Sequence, residues 1–240
     1  MERLRTTAKL KLCISPLHDI TFSLLKLCYL NVRSLHKHIE DIRKDLIYLS
    51  ADINIFTETR FNSQDNNDMY DIAGYVLFHN DNLNSSNGSR SYGGTAVYSK
   101  IPYLPGYPYC HNIHGVEITV IKLARFEDWT IIGIYHSPNV PVRQLYEAIT
   151  EVLNNISPDN NIITRDFDIN WLVETDRRPL YNLLVSDNHY KQFISTYTTD
   201  NNTVIDHIYT NISNIDIQAD VLETHFTDHK AVWASFHGVL

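Results

Sequence analysis

Apolar residues fall along the chain in short runs suited to strands, interrupted by three stretches with helical spacing. "LKLCYLN", ending at Asn31, reads as a buried strand. "SLHKHIEDIRKDLIYLSAD" then sets Leu35, Ile39, Ile42, Leu46 and Leu49 on one helical face, with Ser34 as its cap. "INIFTE" alternates and ends at Glu58, so it reads as a strand. "GGTAVYS", "GVEITVIKL", "WTIIGIY", "NIIT", "TVIDHIYTN" and "KAVWASF" read as further strands, with "ARFED" a polar turn between two of them and "GYVLFH" lying between two loops. "VRQLYEAITEVLNNI" predicts a second helix with Leu145, Ile149, Val152 and Ile156 on one face. "RPLYNLLV" opens a third, with Pro179 near its first turn. Residues 62–68 and 79–92 are loops rich in Asn, Asp and Ser.

Residues 1–21 show no period and read as an extension before one domain over 22–240. Strands outnumber helices, yet helices fall between several of them. That favours a mixed α/β domain with two packed sheets over a simple parallel sheet. No Gly-rich phosphate loop precedes a helix, and Gly93 and Gly94 open a strand, so no nucleotide or other organic cofactor is expected.

Charge adds a constraint on partners. The net charge is −8, so no overall basic character advertises a grip on nucleic acid, although it suits a carboxylate-lined metal site. The three cysteines, Cys13, Cys28 and Cys110, form no CxxC pair, which argues against a disulfide framework or a cysteine zinc site. The apolar stretch 20–30 is interrupted by Ser23 and Lys26 and is too short to span a bilayer. The expectation is an intracellular protein that is neither membrane-spanning nor secreted, and monomeric.

Candidate chemistry collects at strand ends: Asn31, Glu58, Tyr135, Asp166, Asp206, Asp228 and His229. A lone Asp or Asn there is more often a turn former, and a lone His is usually a surface or satisfied core residue. Together they make the set that metal-assisted phosphoester cleavage needs. Carboxylates suit Mg2+, a His oriented by an Asp suits proton transfer, and Asn, Tyr and His can donate to phosphoryl oxygens.

"LNVRSL", "DINIFTET", "GGTAVYS", "YHSPN", "RDFDINW", "NNTVIDHIYTN" and "TDHKAV" occur in an order that resembles the endonuclease/exonuclease/phosphatase superfamily. The resemblance runs from Leu24 to Phe236. It is strongest to the endonuclease domain of non-LTR (LINE-type) retrotransposons, itself similar to apurinic/apyrimidinic endonucleases and deoxyribonuclease I. It implies a four-layer α/β sandwich, two packed mixed sheets flanked by helices. It also implies a DNA-nicking phosphodiesterase that uses Mg2+ or Mn2+ and contacts the DNA backbone. On the same resemblance, Glu58 and Asp228 bind the metal, and Asn31 and Tyr135 hold the phosphate. Asp166 handles the nucleophile or leaving group, Asp206 orients His229, and His229 acts at the phosphate.

The stretch "RDFDINW" departs from the family's Gly-Asp-Phe-Asn-Ile-Asp-Trp. Arg165 replaces the glycine, Asp168 the asparagine, and Asn170 the second aspartate. Thr59-Arg60 replaces Thr-Trp, and Thr227 replaces a serine while keeping a hydroxyl. Asp168 is the serious change, because a carboxylate offers no donor and faces an anionic phosphate. Losing one donor aimed at transition-state charge costs about 10²–10³ in rate. If the segment is extended, Asn170 lies roughly 6–7 Å farther along and does not compensate. An impaired or inactive member of the same fold is therefore the second expectation. A phospholipid or inositol phosphate phosphoesterase is the third.

Overall fold

The computed structural model describes residues 23–61, 65–80, 93–137 and 139–238. The expected extension and most of the loop 79–92 lie outside the described residues. Twelve strands are described, in two six-stranded sheets. The first sheet runs β11 (Ile215–Leu222), β12 (Ala231–Gly238), β1 (Ser23–Asn31), β2 (Ile53–Thr57), β4 (Thr95–Ser99), β3 (Val76–Asn80). The second runs β5 (Tyr109–Ile113), β6 (Val116–Leu123), β7 (Phe126–His136), β8 (Asn161–Asp166), β10 (Asp206–Thr210), β9 (Lys191–Gln192). Both are mixed: β1–β2 and β7–β8 pair parallel, the other neighbours antiparallel.

Strand periodicity builds the layers. In β1, Leu25, Leu27 and Tyr29 point one way and join Ile53, Ile55, Val97, Ile131, Ile162, Ile208 and Val232 in the core between the sheets. The alternate residues Cys28 and Leu30 join Phe56, Tyr98 and Trp233 beneath α1 (Leu35–Ile42) and α2 (Leu46–Ser50). On the second sheet, Ile132, Ile134, Ile163 and Phe167 pack under α3 (Val142–Asn155) and α4 (Glu174–Tyr181). The order helix, sheet, sheet, helix is the four-layer sandwich expected.

The local differences have causes. The long first helix is two short ones, because a turn at 43–44 interrupts it and Asp45 caps the second by accepting from the Ile47 N–H at 2.8 Å. Ser34 makes no capping bond. Instead the Leu35 N–H donates to Thr59 O at 3.0 Å, tying the helix start to the segment after β2. Pro179 lies inside α4 rather than in its first turn. The helix starts four residues before Arg178, at Glu174, with Glu174 and Asp176 in its first turn, and runs on into a π-helical turn, Asn182–Ser186. The turn before β7 is shorter than "ARFED", since Phe126 already pairs with Leu123. Strand β10 starts at Asp206 rather than Thr203, because Val204 and Ile205 spend their carbonyls on Trp171 and Phe167. The sequence pattern does not predict strands β3, β5, β9 and β11. No described helix is long and apolar enough to cross a membrane.

Candidate active site

The residues that face between the sheets change from apolar to polar at one end of the sandwich. Asn31 continues the Leu27–Tyr29 row of β1, Thr57 the Ile53–Ile55 row of β2, and Tyr135 the row of Ile131 in β7. Asp166 continues the Ile162 row of β8, and Asp206 precedes Ile208 on β10. Strands β8 and β10 are antiparallel, so the end of one meets the start of the other, and Asp166 pairs directly with Asp206. Strand β12 is antiparallel to β1, so the segment 228–229 arrives beside Asn31. Topology thus converges distant residues on one cleft. It contains a small cavity of about 50 Å³ lined by Asn31, Arg33, Glu58, Tyr135, Asp166 and Asp168 among others.

Hydrogen bonds fix the set. Asn31 donates from Nδ2 to Glu58 Oε1 at 2.9 Å and to Asp166 Oδ2 at 3.1 Å. His229 Nδ1 lies 3.2 and 3.1 Å from the two oxygens of Asp206, and its Nε2 is 3.6 Å from Asp166 Oδ2. Asp166, Asp206 and His229 each bring one ligand-capable atom within 4.8 Å of the others. Asp228 lies to one side, bound by Arg33 from Nε at 3.0 Å and Nη2 at 3.2 Å. Thr227 keeps a hydroxyl within reach of Asn31 O, at 3.3 Å.

Burial sets the protonation states. Burial and the neighbouring Asp206 charge raise Asp166 to about 6, against the His229 charge and the Asn31 bond. Burial also raises Asp206, with the His229 bond opposing. For His229, burial works against the charged ring, but the Asp206 bond and the Asp206 and Asp166 charges outweigh it and raise the ring to about 9. Arg33 Nη2 lies 3.1 Å from His229 Nε2, which is a hydrogen bond only if that nitrogen is bare. The two aspartates favour the protonated ring, so Asp228 and Asp166 instead hold two cations side by side.

The departures from the family pattern are now placed. Asp168 is exposed at the cavity rim, with φ 54°, and its N–H donates to Asp166 Oδ1 at 3.0 Å. Burial and Asp166 raise its carboxyl, while the Arg165 charge opposes. Arg165 does not enter the cleft. It shares the outward row of Ile163 and is fully buried under α3, its guanidinium 4.7 Å from the centre of the Phe167 ring. Nε donates to Asp166 O at 2.6 Å, while neither terminal nitrogen has a hydrogen-bond partner among the described residues. Asn170 is occupied elsewhere, accepting from the Leu172 and Val204 N–H groups at 3.3 and 3.2 Å.

Three contributors were missed in the sequence. The Tyr29 hydroxyl accepts from the Asp166 N–H at 2.7 Å and shares a 2.8 Å hydrogen bond with Thr57. Its place two residues before Asn31, on the same strand face, was the available signal. Arg33 is the second. Gly93 is the third: its φ is +89°, and a Cβ there would sit 2.4 Å from Tyr135 Cε1, so the bare backbone makes room for that ring. Left-handed φ values at Arg33, Glu58, Arg60 and Asp168 cluster around the same cleft.

No family model and no curated protein sequence matches the chain. Solved structures do. The chain is similar to the 3′ phosphatase NExo from Neisseria, bound to a product DNA hairpin, at TM-score 0.64 and 15% identity over 88% of this chain and 99% of that one. It is similar to the endonuclease domain of TRAS1, a telomere-specific non-LTR retrotransposon, at TM-score 0.64 and 14% identity over 89% and 98%. It is also similar to the human Nocturnin catalytic domain with a bound sulfate anion, at TM-score 0.58 and 12% identity over 93% and 98%. The fold is that of the endonuclease/exonuclease/phosphatase proteins, as the motif order implied.

Proposed function

We propose that the protein is a divalent-metal-dependent phosphodiesterase that nicks DNA in the manner of a retrotransposon endonuclease. The observation that supports this most is the convergence of Asn31, Glu58, Tyr135, Asp166, Asp206 and His229 on one polar cleft between the sheets. Solved structures of the same fold that hold a DNA hairpin or a sulfate agree with a phosphate ligand.

The donor set fits a hard cation, since it is built from carboxylate oxygens. Glu58 and Asp228 would hold Mg2+ or Mn2+. A protonated His229 is no ligand, so the Asp166–His229–Asp206 group is better suited to moving and holding protons. The bound cation would polarise a phosphoryl oxygen as a Lewis acid.

Asp166, raised to about 6, is charged at neutral pH yet basic enough to take a proton from the attacking water. The water oxygen bonds to phosphorus as the P–O ester bond opposite breaks, and the departing alkoxide takes a proton from solvent to leave as the alcohol. The His229 imidazolium, held by Asp206, donates to a phosphoryl oxygen where negative charge builds. Tyr135 donates to a remaining oxygen and orients the group, while Asn31, whose two N–H groups hold Glu58 and Asp166, keeps those carboxylates in place.

A supercoiled-plasmid nicking assay with Mg2+ tests the reading. Nicking by the wild type and its loss in His229→Ala is the expected result. Folded wild type without nicking at high protein would overturn it.

A second reading, an impaired site kept for binding, is favoured by one observation: Asp168 puts a carboxylate at the cavity rim where an amide would donate. Nicking by Asp168→Asn but not by wild type would support it. Equal, robust nicking by both would reject it.

A further inference from the structure

Among the described residues that line the cavity, Arg33 is the one lysine or arginine, and Glu58, Asp166 and Asp168 line it too. The chain is bent to put it there: φ at Arg33 is 54°, and its N–H donates to Asn31 Oδ1 at 3.1 Å. The guanidinium engages Asp228 through Nε and Nη2, yet its side chain is 45% exposed. Nη1 makes no hydrogen bond to a described residue. A phosphodiester entering this cleft therefore meets three carboxylates against the His229 imidazolium and the Arg33 guanidinium, which has donor capacity beyond its Asp228 bonds, while Arg60 Nη2 lies 3.9 Å from Glu58 Oε2. The alternative source of motif charge, Arg165, is sealed under α3 and cannot reach it.

We propose that Arg33 is a further catalytic residue, whose guanidinium contacts the scissile phosphate and supplies the charge and N–H donors that the Asp168 carboxylate lacks. The proposal rests on the phosphodiesterase reading. The planar fork of an arginine matches two phosphate oxygens at once, which a lysine cannot do. The same contact frees the ring nitrogen of His229 from its crowded approach to Nη2.

A purely structural Arg33, pinning Asp228 beside His229, predicts something different, and a rescue experiment separates the two. The full chain would be compared as wild type, Arg33→Lys, Arg33→Met, Asp168→Asn and the double variant Arg33→Met/Asp168→Asn. The urea midpoint checks that each is folded. With Mg2+ and plasmid, Arg33→Met is expected to lower kcat about 10²-fold and Arg33→Lys about tenfold, with KM changing less. Asp168→Asn should recover at least tenfold in the Arg33→Met background, because the amide returns a donor to the phosphate. Wild-type kcat in Arg33→Met, or no rescue by Asp168→Asn, overturns the proposal. If neither wild type nor Asp168→Asn nicks, the phosphodiesterase reading fails, and Arg33 is judged by binding of a short fluorescent duplex in Ca2+. Binding weakened about tenfold in Arg33→Met then supports the phosphate contact, and unchanged binding overturns it.

Discussion

His229 and Asp206 form a buried pair at 3.1 Å, and Asp206 grips only the Nδ1 side of the ring. That leaves Nε2 aimed at the cleft with its proton stabilised. Replacing Asp206 with Asn removes the charge that keeps the imidazolium. We expect the His229 ring to titrate well below its value of about 9, and nicking to fall on the order of 10³-fold. Histidine NMR titration and single-turnover nicking check the two halves separately.

Asp166 is a cost to the fold as well as a tool. Its pKa of about 6 exceeds that of an unfolded aspartate, so the folded state binds more protons between about 4 and 6. The group favours folding fully only below pH 4, and that favour is lost as pH rises through 6. Asp166→Asn should therefore abolish nicking while raising stability at pH 8 by roughly 1–3 kcal/mol. Urea denaturation at pH 8 measures the gain, and a loss of stability would contradict it.

Gly93 should be intolerant of a side chain. An alanine Cβ would overlap the Tyr135 ring at 2.4 Å, and the φ of +89° is strained for any L-residue. Gly93→Ala is expected to cost about 1–3 kcal/mol and to lower nicking at least as much as Tyr135→Phe. Thermal unfolding and plasmid nicking on both variants test the link.

Arg165 is a buried cation with two unpartnered nitrogens and burial lowering its pKa. Arg165→Met keeps the volume and discards the charge, so it should stabilise by about 1–3 kcal/mol. Arg165→Gly restores the family residue but empties space under α3, so it should destabilise by roughly 2–4 kcal/mol. Urea midpoints that rank Met above wild type above Gly would confirm that Arg165 now serves as core.

His207 packs against the Phe167, Trp171 and Tyr209 rings and is fully buried, which depresses it to about 3. An unfolded histidine titrates near 6.5, so the unfolded chain binds the extra proton between about 3 and 6.5. The stability His207 gives as a neutral ring is complete above 6.5 and drains away as pH falls through that window. His207→Phe should flatten the acid limb of the stability curve, most visibly by urea midpoints at pH 4 to 5.

Much of this architecture was legible in the chain. Strands β1, β2, β4, β6, β7, β8 and β12 announce themselves because burial on both faces makes continuous apolar runs. Strand β11 shows Ile215, Ile217, Ala219 and Val221 on one face, an alternation diluted by Asp216, Gln218 and Asp220 facing solvent at the sheet edge. Strand β9 has two residues and no pattern to read. Hydrophobic spacing persists through the turn at 43–44, so the sequence pattern predicts one long helix where the fold has two.

The candidate site was legible in so far as motif order places at strand ends residues that meet in one cleft. Tyr29 and Gly93 were not, since their roles arise from contacts across the sheets that no local pattern encodes. Arg165 illustrates the same limit. Beside Asp166 in sequence, it looked like an active-site substitution, and only the alternation of β8 sends it to the opposite layer.

That alternation has a consequence for how such a domain can change over time. The chain has the fold of proteins with which it shares as little as 12% identity, so substitution is widely absorbed. A single-residue insertion within β8 is a different event. It would turn Arg165 into the cleft, carry Asp166 beneath α3, and break its pairing with Asp206 in one step. Length variation should therefore be confined to the connecting loops, while β1, β7, β8 and β10 keep their residue counts even as their letters drift.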